Sequence, residues 1–228
     1  MANISDQSNV DDSSIMEHLF TRIYDRNVWR DPVTFSGAGS SSTQTVNIIK
    51  ELPLLFKELN VATILDIPCG DFNWMQCVDL TGIDYTGADI VQGIIDVNIE
   101  RHGKENIKFL HLNLIDSDLP KVDLIICRDC LVHFSYEYVV RALDNIKRSG
   151  SKYLLTTTFP EKQYNPNIPI GWWHPYNLEI KPFFLSPPIK LINEGCTQGK
   201  NQTEFKDKSL GLWEINSLDT VLGPRRKK

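Results

Sequence analysis

The chain has 228 residues, 41% of them apolar and 23% charged, which suits one globular domain with a substantial core and excludes a wholly disordered protein. A net charge of −5 argues against a partner bound by broad phosphate neutralisation, so no nucleic acid is expected. The apolar runs fall short of membrane-spanning length and the first residues lack a basic-then-apolar signal; a cytoplasmic protein without membrane contact is expected.

Residues 1–14 are polar and read as a disordered lead-in. One domain is expected over 15–220, opened by a helical lid over 15–45, with 221–228 as a solvated basic tail. Ile15–Tyr24 carries apolar residues at helical spacing. Trp29–Ser42 is a Gly- and Ser-rich loop that is either a flexible linker or a lid, to which Gly37 and Gly39 would allow a close fit. Thr43 or Thr45 can cap a helix reaching Leu59, with Val46, Ile49, Leu52, Phe56 and Leu59 on one face and a kink at Pro53.

Beyond Leu59 the periods alternate. Strands fit Thr63–Ile67, Tyr85–Ala88, Lys108–Leu112, Leu124–Cys127 and Tyr153–Thr158, and helices fit Val91–Arg101 and Tyr136–Lys147. Such alternation, with strands apolar on both faces, implies an α/β protein with a parallel sheet covered on both sides. After an aromatic- and proline-rich stretch over residues 163–188, Ile189–Glu194 and Leu210–Ile215 can close the sheet as an antiparallel hairpin.

The segment Ala62–Trp74 reads ATILDIPCGDFNW. An apolar strand ends in Asp66, and the turn-rich Pro68-Cys69-Gly70-Asp71 follows, with Gly70 able to bring bare backbone against a ligand. A second acid, Asp89, ends the next apolar run 23 residues after Asp66. That spacing fits one strand–helix–strand unit and places Asp89 to grip ribose hydroxyls.

Five cysteines in such a chain do not suggest a disulfide framework. Cys127 and Cys130 form one C-x-x-C with His133 three residues on, and Cys69 would approach them if the first and fourth strands were neighbours. Free cysteine is more often a small buried hydrophobe, and no metal is expected.

Five parallel strands, an Asp-x-x-x-Gly hairpin after the first, an acid after the second and a closing hairpin together resemble a class I S-adenosylmethionine-dependent methyltransferase, over about Thr43 to Ile215. The resemblance implies a doubly wound, Rossmann-like sheet of seven mostly parallel strands. It implies S-adenosylmethionine as cofactor, with Asp66, Pro68, Cys69, Gly70 and Asp71 under its methionine part. Asp89 would hold the ribose, Ile90 the adenine face, and Asn113 beside Leu114 the adenine amine. Cys127, Arg128 and Asp129 would face the methionine end and the acceptor. Pro68 and Phe72 stand where the family loop often has glycine, which stiffens the loop and removes donors. A dinucleotide enzyme is disfavoured, because its pyrophosphate needs a Gly-x-Gly-x-x-Gly helix start.

Methyl transfer to a hydroxyl needs in-line alignment and benefits from a base. His133, just past the fourth strand, is the candidate base, its alternative being a packed histidine at a helix start. Asp129 either orients His133, takes the proton itself, or caps a helix. Arg128 either pairs with the cofactor carboxylate or an anionic substrate, or forms a surface ion pair. Trp74, Trp172, Trp173 and His174 either stack on a sugar ring or planar acceptor or fill the core. The expected partner is a small-molecule acceptor, and O-methylation of a sugar or nucleotide-sugar hydroxyl is the leading expectation. N- or carboxyl-methylation and a non-catalytic partner subunit of the same fold are the alternatives. An Asn/Asp-Pro-Pro-aromatic tetrapeptide, which marks many amino-group methylators of macromolecules, is replaced after the fourth strand by Cys127-Arg128-Asp129-Cys130.

Overall fold

The alternating apolar runs fold into one sheet in the computed structural model, which describes residues 12–29 and 34–218. The strands are β1 (Thr63–Asp66), β2 (Asp84–Asp89), β3 (Ile107–His111), β4 (Leu124–Cys127), β5 (Tyr153–Thr158), β6 (Lys190–Asn193) and β7 (Ser209–Glu214). The helices are α1 (Asp12–Asp25), α2 (Ser42–Leu59), α3 (Gln92–His102) and α4 (Tyr136–Arg148). Strand order is β3-β2-β1-β4-β5-β7-β6; the first five strands run parallel, and β7 pairs antiparallel to both β5 and β6. The order reverses between β1 and β4, so a crevice opens beyond their carboxyl ends, where Asp66 lies beside Ile126.

Both faces of the sheet are buried, and successive residues serve opposite faces. Ile64, Leu124 and Ile126 pack with Ile48, Leu52, Leu55 and Phe56 of α2. Leu65, Ile125 and Cys127 pack with Val139, Ala142, Leu143 and Ile146 of α4 and with Met16 of α1. The strands therefore read as unbroken apolar runs. Among the described residues no helix is long and apolar enough to cross a membrane.

The N-terminal third departs from the sequence reading. α1 begins at Asp12, so the last residues of the expected lead-in are helical; residues 1–11 and the expected basic tail lie outside the described residues. α2 begins at Ser42 with Ser41 at its N-cap, and the Thr45 hydroxyl donates to the Ser41 carbonyl at 3.0 Å instead of capping. Its buried face holds Gln44, Thr45, Ile48, Leu52, Leu55 and Phe56, while Val46 is exposed. Gln44 makes that rotation possible by bonding both the hydroxyl and the backbone N–H of Thr197, at 2.7 and 3.0 Å. α2 continues through Pro53 as one helix.

Gly87 in β2 supports the loop after β1. A Cβ there would come within 2.8 Å of the Phe109 ring and 3.1 Å of Cys69 Cβ. Gly87→Ala is expected to destabilise the fold by about 1–3 kcal/mol through overpacking. A thermal melt checks this, and an unchanged midpoint would show that β2 has room to spare.

Candidate active site

The loop after β1 is held from three sides. Cys69 N–H donates to the Ala88 carbonyl at 2.8 Å, Gly70 N–H to Asp89 Oδ2 at 3.1 Å, and Asn98 Nδ2 of α3 to the Gly70 carbonyl at 2.8 Å. Gly70 has φ +53°, a left-handed backbone that favours glycine. Phe72, which stands at a position where glycine was expected, also takes positive φ (57°), and its buried ring packs against Tyr85 and Phe109. The bulk that threatened the loop is thus spent on the core.

A cavity of about 680 Å³ lies beyond the strand ends. Asp66, Pro68, Cys69, Gly70, Asp89, Ile90, Asn113 and Leu114 line it on one side, and Arg128, Asp129, His133, Trp74 and Trp173 line it on the other. Asp89 also accepts the Val91 N–H at 3.0 Å, so a single carboxylate ties the loop after β1 to the start of α3. Asn113 bonds Ser13 of α1 through Nδ2 at 2.7 Å and accepts the Ile115 N–H at 3.1 Å. Burial pushes Asp66 up to about 7, against the hydrogen bond it accepts from Tyr85 Oη at 2.7 Å, and pushes Asp89 up to about 6, against the backbone N–H groups it accepts.

Four expected site residues stand off the cavity wall. Cys127 is fully buried in the α4-side core, as the pleat requires of a residue two positions beyond Ile125. Asp71 turns to the segment 34–36, where its carboxylate accepts from Thr34 Oγ1 (2.7 Å), Phe35 N–H (2.9 Å) and Ser36 Oγ (3.0 Å). Trp172 is exposed and contributes only its carbonyl, and the His174 ring packs against Tyr176. Trp74 is on the wall but belongs to the α2-side core, and the Arg128 guanidinium sits 5.3 Å over its ring.

Arg128 is buried and already committed. It bonds Glu194 through both Nε (3.2 Å) and Nη2 (2.7 Å), the Gly39 carbonyl at 2.7 Å and Ser40 Oγ at 3.4 Å. A guanidinium so occupied is a structural tie and not a free clamp for a carboxylate. Asp129 meets Lys208 Nζ at 2.6 Å. Burial opposes ionisation of Asp129, but Lys208 and then Arg128 outweigh it and hold the carboxyl at about 2, too acidic for a base. His133 directs Nδ1 at the Trp172 carbonyl, 3.1 Å away. A carbonyl only accepts, so Nδ1 carries the proton and Nε2 keeps the lone pair. Burial is the largest influence on His133 and lowers its pKa below 6.5.

Sequence reasoning missed Glu194, Lys208, Asn98 and Trp29. Glu194 ends one strand of the closing hairpin and Lys208 precedes the other, so only the hairpin's pairing brings them under β4. The first and fourth strands are neighbours as the cysteine argument required, yet among the described residues no group of three or more His, Cys, Asp or Glu could hold a metal ion.

Residues 65–152 match the model of a family described as a methyltransferase domain. The fold is also that of solved methyltransferases that hold S-adenosylmethionine or S-adenosylhomocysteine. Magnesium protoporphyrin IX methyltransferase of Synechocystis PCC 6803, solved with S-adenosylhomocysteine, is 14% identical with a TM-score of 0.59, over 90% of this chain and 99% of that one. The 1,6-didemethyltoxoflavin-N1-methyltransferase of Burkholderia thailandensis is also 14% identical, with a TM-score of 0.58, over 89% of this chain and 88% of that one. These two likenesses speak to the fold. No curated protein sequence matches the chain.

The wall suits S-adenosylmethionine, the ligand held in the structure of the Synechocystis enzyme. The bare backbone of Gly70 permits close approach, and Asp66, Asp89 and Asp129 line the cavity where they would face the sulfonium and ammonium of such a ligand. Raised carboxyl pKa values make the free protein less stable as pH climbs. The proton-bound forms of Asp66 and Asp89 are favoured by the fold below the unfolded value of 3.8, and that advantage is lost as pH passes about 6 to 7. A cationic ligand prefers the ionised forms, so its affinity should climb over the same window. Melting and calorimetric titration with S-adenosylmethionine at pH 5 and pH 8 are expected to show opposite trends, with the affinity trend flattened in Asp89→Asn. Parallel trends would contradict the placement of the cofactor against these acids.

Proposed function

We propose that this methyltransferase acts on a hydroxyl group of a small molecule, a sugar or nucleotide-sugar, with His133 as general base. The observation that carries the reading is the His133 tautomer: the Trp172 carbonyl fixes the proton on Nδ1 and leaves Nε2 basic, on a residue that lines the cavity. The bound cofactor supplies an electrophilic methyl carbon on a positively charged sulfur. His133 Nε2 would take up the proton that the acceptor hydroxyl loses. Asp89 and the Gly70 loop would hold the cofactor, and Ile90, Asn113 and Leu114 would enclose its base.

The far wall supports a sugar. Trp173 stands edge-on to Phe205 and Phe159, with ring centroids 4.9 and 6.0 Å away, and Asp129, Gln198 and Lys208 line the same cavity. An aromatic wall beside polar groups matches a ring with C–H faces and hydroxyl edges. The two structural neighbours are named for a porphyrin and a toxoflavin precursor, which supports a small acceptor. All five cysteines are free thiols, which is in keeping with a cytoplasmic setting.

Methyl uptake from labelled S-adenosylmethionine, screened over neutral sugars, nucleotide-sugars and phenols, tests the proposal. His133→Ala should lower kcat by about 10²–10⁴-fold while cofactor affinity stays nearly unchanged. In the wild type, protonation of Nε2 should cut activity as pH falls through a midpoint below 6.5, and that limb should vanish in the variant. Full activity of His133→Ala would remove it as the base.

A further inference from the structure

Trp29, on the connection between α1 and α2, lies against the candidate base: its indole is 5.2 Å from the His133 ring, centroid to centroid, at 31° between planes. Both side chains line the cavity. The seat of Trp29 is built by a neighbouring stretch. Gly37 has φ +84°, and a Cβ there would stand 3.4 Å from Trp29 Cβ. Ser36, beside it, is fixed at both poles by one residue: its hydroxyl donates to Asp71 Oδ1 and accepts the Asp71 N–H, each at 3.0 Å. The Asp71 carboxylate also takes Thr34 Oγ1 and the Phe35 N–H. The other end of the stretch is tied by Arg128, through Gly39 and Ser40. Ser36 Oγ stands where a Cβ on Gly70 would be, 2.1 Å away, so the strap of residues 34–40 lies directly on the cofactor loop.

We propose that Trp29 is the positioning residue for His133 and a wall of the acceptor subsite, and that the strap, latched by Asp71, holds it there. The inference rests on His133 as the base. It reassigns Asp71 from cofactor ligand to latch, and it gives the chain a continuous mechanical link, Asp71–Ser36–Gly37–Trp29–His133, from the cofactor loop to the proton acceptor. The Trp172 carbonyl at Nδ1 and the tilted indole beside it restrain the ring, so the direction in which Nε2 points depends on both. A strap resting on Gly70 at one point and on Trp29 at the next means that closure over the cofactor and alignment of the base are one event.

The proton affinity of His133 reads the contact without any acceptor. The groups that face the ring are Asp129 from the loop after β4, Lys208 from the start of β7, the Trp172 carbonyl and the Trp29 indole. Burial exceeds the attraction of Asp129, and the indole is part of that burial, so loosening it readmits water and favours the imidazolium. Removing the Asp71 charge would by direct electrostatics move His133 the other way, which separates the two causes by sign. The experiment is an NMR pH titration of labelled histidine in the full chain, with His133 assigned from the His133→Gln spectrum, alone and with S-adenosylhomocysteine. Trp29→Ala and Asp71→Asn should both displace the His133 midpoint upward toward 6.5, and Trp29→Phe should leave it near the wild-type value. Asp71→Asn, which keeps the side-chain volume and removes the charge, decides the matter if Trp29→Ala fails to fold. A midpoint in Asp71→Asn that stays put or falls overturns the proposal. Full turnover by His133→Gln would instead sink the general-base reading and leave the titration result standing.

Discussion

The site depends on burying one guanidinium. Arg128 can leave water only if its N–H groups find acceptors, and those acceptors come from distant parts of the chain: Glu194 from the closing hairpin, Gly39 and Ser40 from the strap. The cation also lies over Trp74, just past the cofactor loop. Meeting those demands fixes the end of β4, the strap and the hairpin relative to one another. Breaking such a buried pair by removing one partner typically costs about 3–5 kcal/mol, because the other charge is left alone. Lys208 completes the arrangement by bridging Glu194 and Asp129, at 3.3 and 2.6 Å. The strap is therefore part of the active site's frame, anchored through Arg128 at one end and Asp71 at the other.

Electrostatics then separates the two halves of the cavity. Around the loop after β1, Asp66 and Asp89 are buried carboxyls with raised pKa values, and each would gain from a cationic ligand. On the opposite wall, Asp129 is held ionised by Lys208 and Arg128, while burial lowers the His133 pKa and favours the neutral imidazole. The same physical effect, burial, raises the acids and lowers the histidine, because in each case it disfavours the charged form. Asp129 is exempt because Lys208 and Arg128 sit against it.

The sheet was legible in the sequence because buried parallel strands and amphipathic helices leave periodic signals. All seven strands lie within a residue or so of their expected limits, and the antiparallel closing pair forms as the hairpin reading required. The place of Asp66, Gly70 and Asp89 on the cavity wall was readable because each lies at the end of its own strand or in the turn that follows. The face of α2 was misread because Gln44 is buried by bonding Thr197, a partner that only the fold supplies. Arg128 read as a clamp for an anion or a surface ion pair for the same reason, since nothing near it in sequence announces Glu194. Asp71 sits inside the cofactor motif, and its turn toward Ser36 depends on a segment 35 residues away. Local chemistry was visible, while roles set by long-range pairing were not.

A crystal structure of the chain with S-adenosylhomocysteine tests the account most directly. The account places the ribose hydroxyls on Asp89, the homocysteine part along the Gly70 loop beneath the strap, and the sulfur facing the acceptor space before His133 and Trp173. A cofactor whose ribose lies away from Asp89, or whose sulfur is turned from His133, would contradict it.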